Sequence, residues 1–221
     1  MWRALKSRGY HTRIGAILII RLILKSQRGD IRWCETMGWN DFAITGQTTG
    51  VMGEQDRWNM RELTIRAADG TDARAIAHIY VASWNAGFRG LLPQRHVDTN
   101  LVARWEQEIV APLPHRWWVA EVAGVIVGFT GIGPSRDPID PELGELDTIA
   151  VDPSMWRRGI GRALLSEALH FLIADGYREA VLWTLAGYEQ GQRFYEDLGW
   201  RLDGATRDED RQVRYYRPLV F

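Results

Sequence analysis

Apolar and polar positions fall into regular periods only after Met60. Glu62–Arg66 alternates, which predicts a strand. Asp69 and Thr71 then offer helix N-caps, and Ala73, Ile76, Ala77, Tyr80 and Trp84 share one face of a helix running to about Gly87. Pro93 opens a second helical stretch to about Val110, and Pro112 and Pro114 close it. Trp117–Val122 and Val125–Gly131 are apolar runs joined by Ala123-Gly124, a hairpin pattern. Residues 134–141, with three prolines, read as a loop, and Leu143–Val151 is the next strand. A helix begins at Gly159 with Ile160, Leu164, Ala168 and Phe171 at helical spacing, and Gly176 stops it. Glu179–Leu185 is a strand, and Glu189–Leu198 a helix ended by Gly199. Strands near Trp200–Arg207 and Arg211–Leu219 complete the pattern.

The order is β-α-α-β-β-β-α-β-α-β-β, an α/β chain with a mixed (α+β type) sheet. The unit from 143 to 185 needs a crossover, so its two strands are expected to be parallel neighbours. The hairpins are expected to be antiparallel, and helices to cover both faces.

Composition separates residues 1–59 from residues 60–221. The first stretch holds 9 basic and 5 acidic residues, against 18 and 23 in the second, and both lysines, Lys6 and Lys25, lie in it. It has no sustained period. The expectation is an N-terminal extension that is disordered or precedes the true start at Met60 or Met52, followed by one domain over 60–221. Its basic opening residues could serve a nucleic acid or a membrane, but the missing period favours neither. A net charge of −1 excludes a bulk polyanion binder. The single cysteine, Cys34, excludes an intramolecular disulfide and points to the cytoplasm. Ile14–Leu24 is too short for a membrane span and carries Arg21.

The strongest chemical motif is Arg157-Arg158-Gly159-Ile160-Gly161-Arg162-Ala163, between a strand and a helix. Free amides and the positive end of a helix attract phosphate there, glycines permit close approach, and arginines add charged donors. A P-loop is excluded, because no lysine follows the glycines, and a dinucleotide fingerprint fails at Leu164. The plainer alternative is that the glycines serve helix–strand packing. His78, His96, His115 and His170 show no metal spacing, so no metal is expected.

Leu146–Leu165 (LDTIAVDPSMWRRGIGRALL) resembles the acetyl-CoA motif of the GCN5-related N-acetyltransferase (GNAT) superfamily, and Phe194–Trp200 (FYEDLGW) its second motif. Arg66–Leu92, with SWNAGFRGLLP at its end running on to Pro93, is similar to the first helices of one bacterial branch. The resemblance spans residues 61–219 and implies the GNAT acyl-CoA N-acyltransferase fold, with acetyl-CoA as co-substrate. Two departures stand out: Trp156 replaces the family's leading Gln/Arg, and Tyr188 stands where Asn is frequent.

Carried over, Ile149, Ala150 and Val151 are expected on the pantetheine arm. Arg157, Arg158, Gly159, Ile160, Gly161, Arg162 and Ala163 are expected around the pyrophosphate, with Tyr188 as a further cofactor contact. Tyr195 takes the place of the family's general acid, with an aromatic anchor as the plainer alternative. Glu145 is the candidate base, with Asp147 two residues on facing the same side of a regular strand; rim charges are the alternative. Trp84, Phe88 and Arg89 border the expected acceptor pocket, although Trp84 also continues the apolar stripe. The implied activity is acetyl transfer to a primary amine of a small molecule, a peptide N-terminus or a lysine, with a homodimer allowed. A non-catalytic acyl-CoA-binding module is the rival reading.

Overall fold

The computed structural model describes residues 63–136 and 139–219; the expectations for residues 1–59 lie outside them. Seven strands form one sheet: β1 Leu63–Ala67, β2 Arg116–Val122, β3 Val125–Arg136, β4 Ile139–Val151, β5 Glu179–Leu185, β6 Arg201–Arg207 and β7 Gln212–Pro218. Four helices accompany them: α1 Ala73–Gly87, α2 Thr99–Ile109, α3 Ile160–Ala174 and α4 Glu189–Glu196. The sheet order is β1-β2-β3-β4-β5-β7-β6, antiparallel except between β4 and β5. The expected α/β class, element order and parallel pair are all present.

Strand alternation explains the two cores. On β2, Trp117 and Val119 pack with Ile76, Ala77, Trp105 and Phe129 beneath α1 and α2. Trp118, between them in sequence, points to the other face and meets Leu165, Ala168 and Leu172 of α3. Leu164 and Leu172 are fully buried, so truncating either to Ala is expected to cost about 2–5 kcal/mol. The α4 side chains Phe194 and Tyr195 join the α3 cluster. The helix-covered area of the α1 side stops near β4. Among the described residues no helix is long and apolar enough to cross a membrane.

Two expectations are corrected. α2 starts at Thr99, not at Pro93, because Asp98 is the N-cap and accepts from Leu101 N at 2.7 Å. Residues 93–98 form a connector, held where Asn85 Oδ1 accepts from Arg95 N at 2.8 Å. The expected loop over 134–141 is instead largely strand, with β3 reaching Arg136 and β4 starting at Ile139. Pro134 is accommodated because the β3–β4 register is irregular between Pro134 and Ser135, the kind of place where sheets accept proline.

Candidate active site

β4 and β5 pair over three positions only, Leu143 with Glu179, Gly144 with Ala180 and Glu145 with Val181. Beyond Glu145 the two strands separate, and among the described residues β3 is then the one strand paired with β4. On that side Gly131 opposes Thr148 and Ile132 opposes Leu146, so Asp147 is an extra residue, a bulge. The bulge resets alternation. Leu146 and Ile149 both face the α3 core, Ala150 packs under α1, and Val151 returns to the α3 side. Trp156, in the family's Gln/Arg position, donates its indole N–H to Val151 O at 2.7 Å and so closes the end of β4. That carbonyl, expected on a cofactor, is engaged within the chain.

The turn after β4 delivers the glycine loop to the start of α3. Gly159 is the N-cap at φ 82°, a left-handed conformation that glycine adopts without strain. Arg157 also has positive φ, 63°. No side chain caps α3, and Ala163 N donates to Gly159 O at 3.0 Å. The Ala163 amide is therefore engaged inside the helix, while those of Ile160, Gly161 and Arg162 precede the first helical bond. The Ile160 side chain is buried in the core, so only its backbone can meet a ligand. Arg157 and Arg162 are exposed, and Arg158 is half-buried. A Cβ on Gly161 would lie 3.3 Å from Phe194 Cζ, so close helix packing is also part of this glycine's role.

An aromatic series links α1 to α4. Trp84 meets Phe88 edge to face at 4.9 Å, and Phe88 meets Tyr188 at 5.0 Å. Tyr188 wedges between the helices: its hydroxyl would lie 3.0 Å from a Cβ added at Gly87. Its ring thus packs on Gly191 of its own helix and on α1, on the side expected for the acceptor. Trp84 has a packing role, with its N–H donating to Pro93 O at 3.0 Å and the Arg95 guanidinium 3.5 Å above its ring. Arg89 is exposed beyond the end of α1.

Tyr195 combines two features. Its ring packs 6.3 Å from Trp200 and 6.1 Å from Tyr215, the anchor alternative. Its hydroxyl has no hydrogen-bond partner among the described residues. Burial, reinforced by the nearby Tyr188 phenol, pushes its pKa far up, so the phenol keeps its proton.

Glu145 and Asp147 come together on Arg136, a residue the sequence reading placed in a loop. Arg136 N donates to Glu145 Oε2 at 2.8 Å, and its guanidinium reaches Glu145 Oε1 at 3.4 Å and bonds Asp147 Oδ1. Both carboxylates are buried, so they are not rim charges. Burial pushes the Glu145 carboxyl above its ordinary value, while Arg136 pulls against that shift. Tyr80 of α1 lies near enough that its phenol, raised first by burial, also feels the Asp147 charge.

The model of the acetyltransferase (GNAT) family matches residues 73–200. A probable N-acetyltransferase of Mycobacterium tuberculosis is 29% identical over 149 residues, covering 65% of this chain and 83% of that protein. YncA of Salmonella typhimurium, solved with its cofactor acetyl-CoA, is similar at a TM-score of 0.57 and 25% identity, over 72% of this chain and 95% of its own. The PaiA N-acetyltransferase of Thermoplasma acidophilum, solved with coenzyme A, shares the fold at a TM-score of 0.57 and 18% identity, over 71% and 98% of the two chains.

Proposed function

Since the chain belongs to the acetyltransferase (GNAT) family, we propose that it moves the acetyl group of acetyl-CoA to an amine at the point where β4 and β5 separate. The observation that carries this reading is the edge of β4 that, among the described residues, has no strand partner beyond Glu145. Backbone groups on such an edge demand hydrogen-bond partners. A pantetheine arm, with two amides of its own, supplies them as a strand would, and Ile149 is central to that edge. The uncapped amides of Ile160, Gly161 and Arg162 and the positive end of α3 then receive the pyrophosphate. Arg157, Arg158 and Arg162 add charge around it. YncA, solved with acetyl-CoA, supports the choice of co-substrate.

The acceptor amine arrives as an ammonium and must lose a proton before it can attack. Glu145, whose pKa burial raises above the ordinary carboxylate value against the pull of Arg136, accepts that proton directly or through a water. Asp147 shares the guanidinium of Arg136 with it and keeps the pair's net charge negative. Negative charge at this point favours a cationic acceptor. As the thioester carbon–sulfur bond breaks, the sulfur gains charge, and the protonated Tyr195 phenol donates to it. Phe88 and Tyr188 wall the acceptor side.

The test is turnover by the full chain with acetyl-CoA and a panel of amines, with thiol release and acetylated product measured together. Amine-dependent release of thiol is expected. Acetyl-CoA binding without transfer to any amine would leave a CoA-binding module.

A further inference from the structure

α1 and α2 cover the sheet only as far as β4; beyond it the same face carries Leu143, Val181, Trp183, Arg214 and Tyr216, while Ala180, Leu182 and Tyr215 point into the α3 core. That half holds a bowl of about 210 Å³ lined by Leu143, Glu179, Val181, Asp203, Arg214 and Tyr216. Its edge is Glu145: Val181 is the cross-strand partner of Glu145, and Leu143 lies two residues before it on the same face.

The bowl has a built polar wall. Arg214 Nε donates to Asp203 Oδ2 at 2.7 Å, which fixes the guanidinium and leaves its two terminal nitrogens directed elsewhere. Those nitrogens make no hydrogen bond among the described residues, and neither does the hydroxyl of Tyr216, which also lines the bowl. The Arg214 guanidinium lies 5.6 Å from the centre of the Trp183 ring, and that of Arg207 lies 4.3 Å from the same centre. A planar guanidinium edge matches a carboxylate in two parallel hydrogen bonds. Glu179, at the other end of the bowl, repels an anion there and so sets the direction in which a ligand lies.

Resting on the acetyl-transfer reading, we propose that the acceptor is a small amine carrying a carboxylate, and that Arg214, fixed by Asp203 and Trp183, binds that carboxylate while the amine points to Glu145. β5 separates β4 from β7, so the two sites are about 10 Å apart at the backbone, and the long Arg214 side chain shortens that span. Amine and carboxylate therefore belong to one small molecule of amino-acid size.

The test uses the full chain, acetyl-CoA, the common L-amino acids and β-alanine, the matching primary amide of each, and spermidine. The acids are expected to exceed their amides in kcat/KM by roughly 10- to 100-fold, the worth of a charge-assisted hydrogen bond. Arg214→Gln should collapse that ratio through KM for the acids while the melting shift caused by acetyl-CoA persists. Arg214→Lys should keep part of the ratio. If Arg214→Gln does not fold, Arg214→Lys and the acid–amide ratio of the unaltered chain still decide. Equal use of acids and amides, a preference for spermidine, an unchanged ratio in Arg214→Gln, or acetyl-CoA binding with no carboxylate amine acetylated would each overturn the inference. Failure of acetyl-CoA to bind would instead remove the acetyl-transfer reading beneath it.

Discussion

Arg136 grips Glu145 twice, once through its backbone N–H at 2.8 Å and once through its guanidinium at 3.4 Å. The guanidinium also bonds Asp147, so one cation on the β3–β4 arm governs both carboxylates at the parting of β4 and β5. A base must be ionised to act. Burial raises the Glu145 pKa, so kcat/KM should rise with pH through a value above the roughly 4.3 of an ordinary glutamate. Arg136 favours the ionised form, and Arg136→Gln removes that cation while keeping the backbone bond. The acidic limb should therefore move to higher pH, and Arg136→Lys should restore part of the shift. A pH–rate profile checks this, and a limb that stays in place in Arg136→Gln would mean that neither carboxylate takes the proton.

Gly161→Asp should weaken CoA binding by roughly tenfold or more, because a carboxylate at the first turn of α3 opposes the pyrophosphate. Gly161→Ala is the control for packing, since its Cβ presses only on the ring edge of Phe194. Glu145→Gln should leave CoA affinity nearly unchanged. Calorimetry on the three variants decides; if Gly161→Asp and Glu145→Gln bound CoA alike, the phosphate site would lie elsewhere.

The sequence made the crossover unit legible because its signals are local: Leu143–Val151 as a strand, Gly159 at the turn, and Leu164 and Ala168 at helical spacing. The parallel pairing of Glu145 with Val181 followed from the length of the connection. Asp98 as a cap was passed over because Pro93 gave a louder signal upstream. Arg136 was missed for a similar reason, since Pro134 and Pro141 imitate a loop whereas the register irregularity absorbs Pro134 into β3. The bulge at Asp147 depends on pairing with β3 and leaves no mark in the local pattern. The direction of the Tyr188 ring is only partly legible, because the ring fits over Gly191, three positions on, and also against Gly87, 101 positions away.

Stability should depend on a separate ion-pair network. Arg66 donates to both Asp72 oxygens, at 2.7 and 2.8 Å, and to Glu121 Oε1. Asp72 also accepts from Asp69 N at 2.9 Å, which closes the capping box of the short 3-10 turn Gly70–Asp72 that leads into α1. The hydrogen bond from Arg66 holds the Asp72 carboxyl below its ordinary value. A lowered pKa gives stability that is present above the unfolded value, about 3.9, and is lost as pH falls through the folded one. Arg66 is partly exposed, which screens the pair, so Asp72→Asn should cost about 1–2 kcal/mol at neutral pH. Urea melts of both proteins between pH 7 and pH 3 should converge; a constant gap would contradict the linkage.

Tyr195→Phe keeps the ring among Trp200 and Tyr215 and removes only the hydroxyl. Loss of a general acid should lower kcat by about 10²–10⁴-fold with acetyl-CoA Kd nearly unchanged. Tyr188→Phe should act on the acceptor side instead, raising KM for the amine. A kcat loss confined to Tyr188→Phe would transfer the acid role to that residue, and no loss in either would leave thiolate protonation to solvent.

The central claim is that acetyl-CoA completes the β4 edge and the start of α3. Hydrogen exchange of the full chain, with and without saturating acetyl-CoA, tests it most directly. Slowed exchange is predicted in two stretches, 146–151 and 158–162, with the edge strand β6 unchanged. Binding accompanied by protection elsewhere, and none in those two stretches, would contradict it.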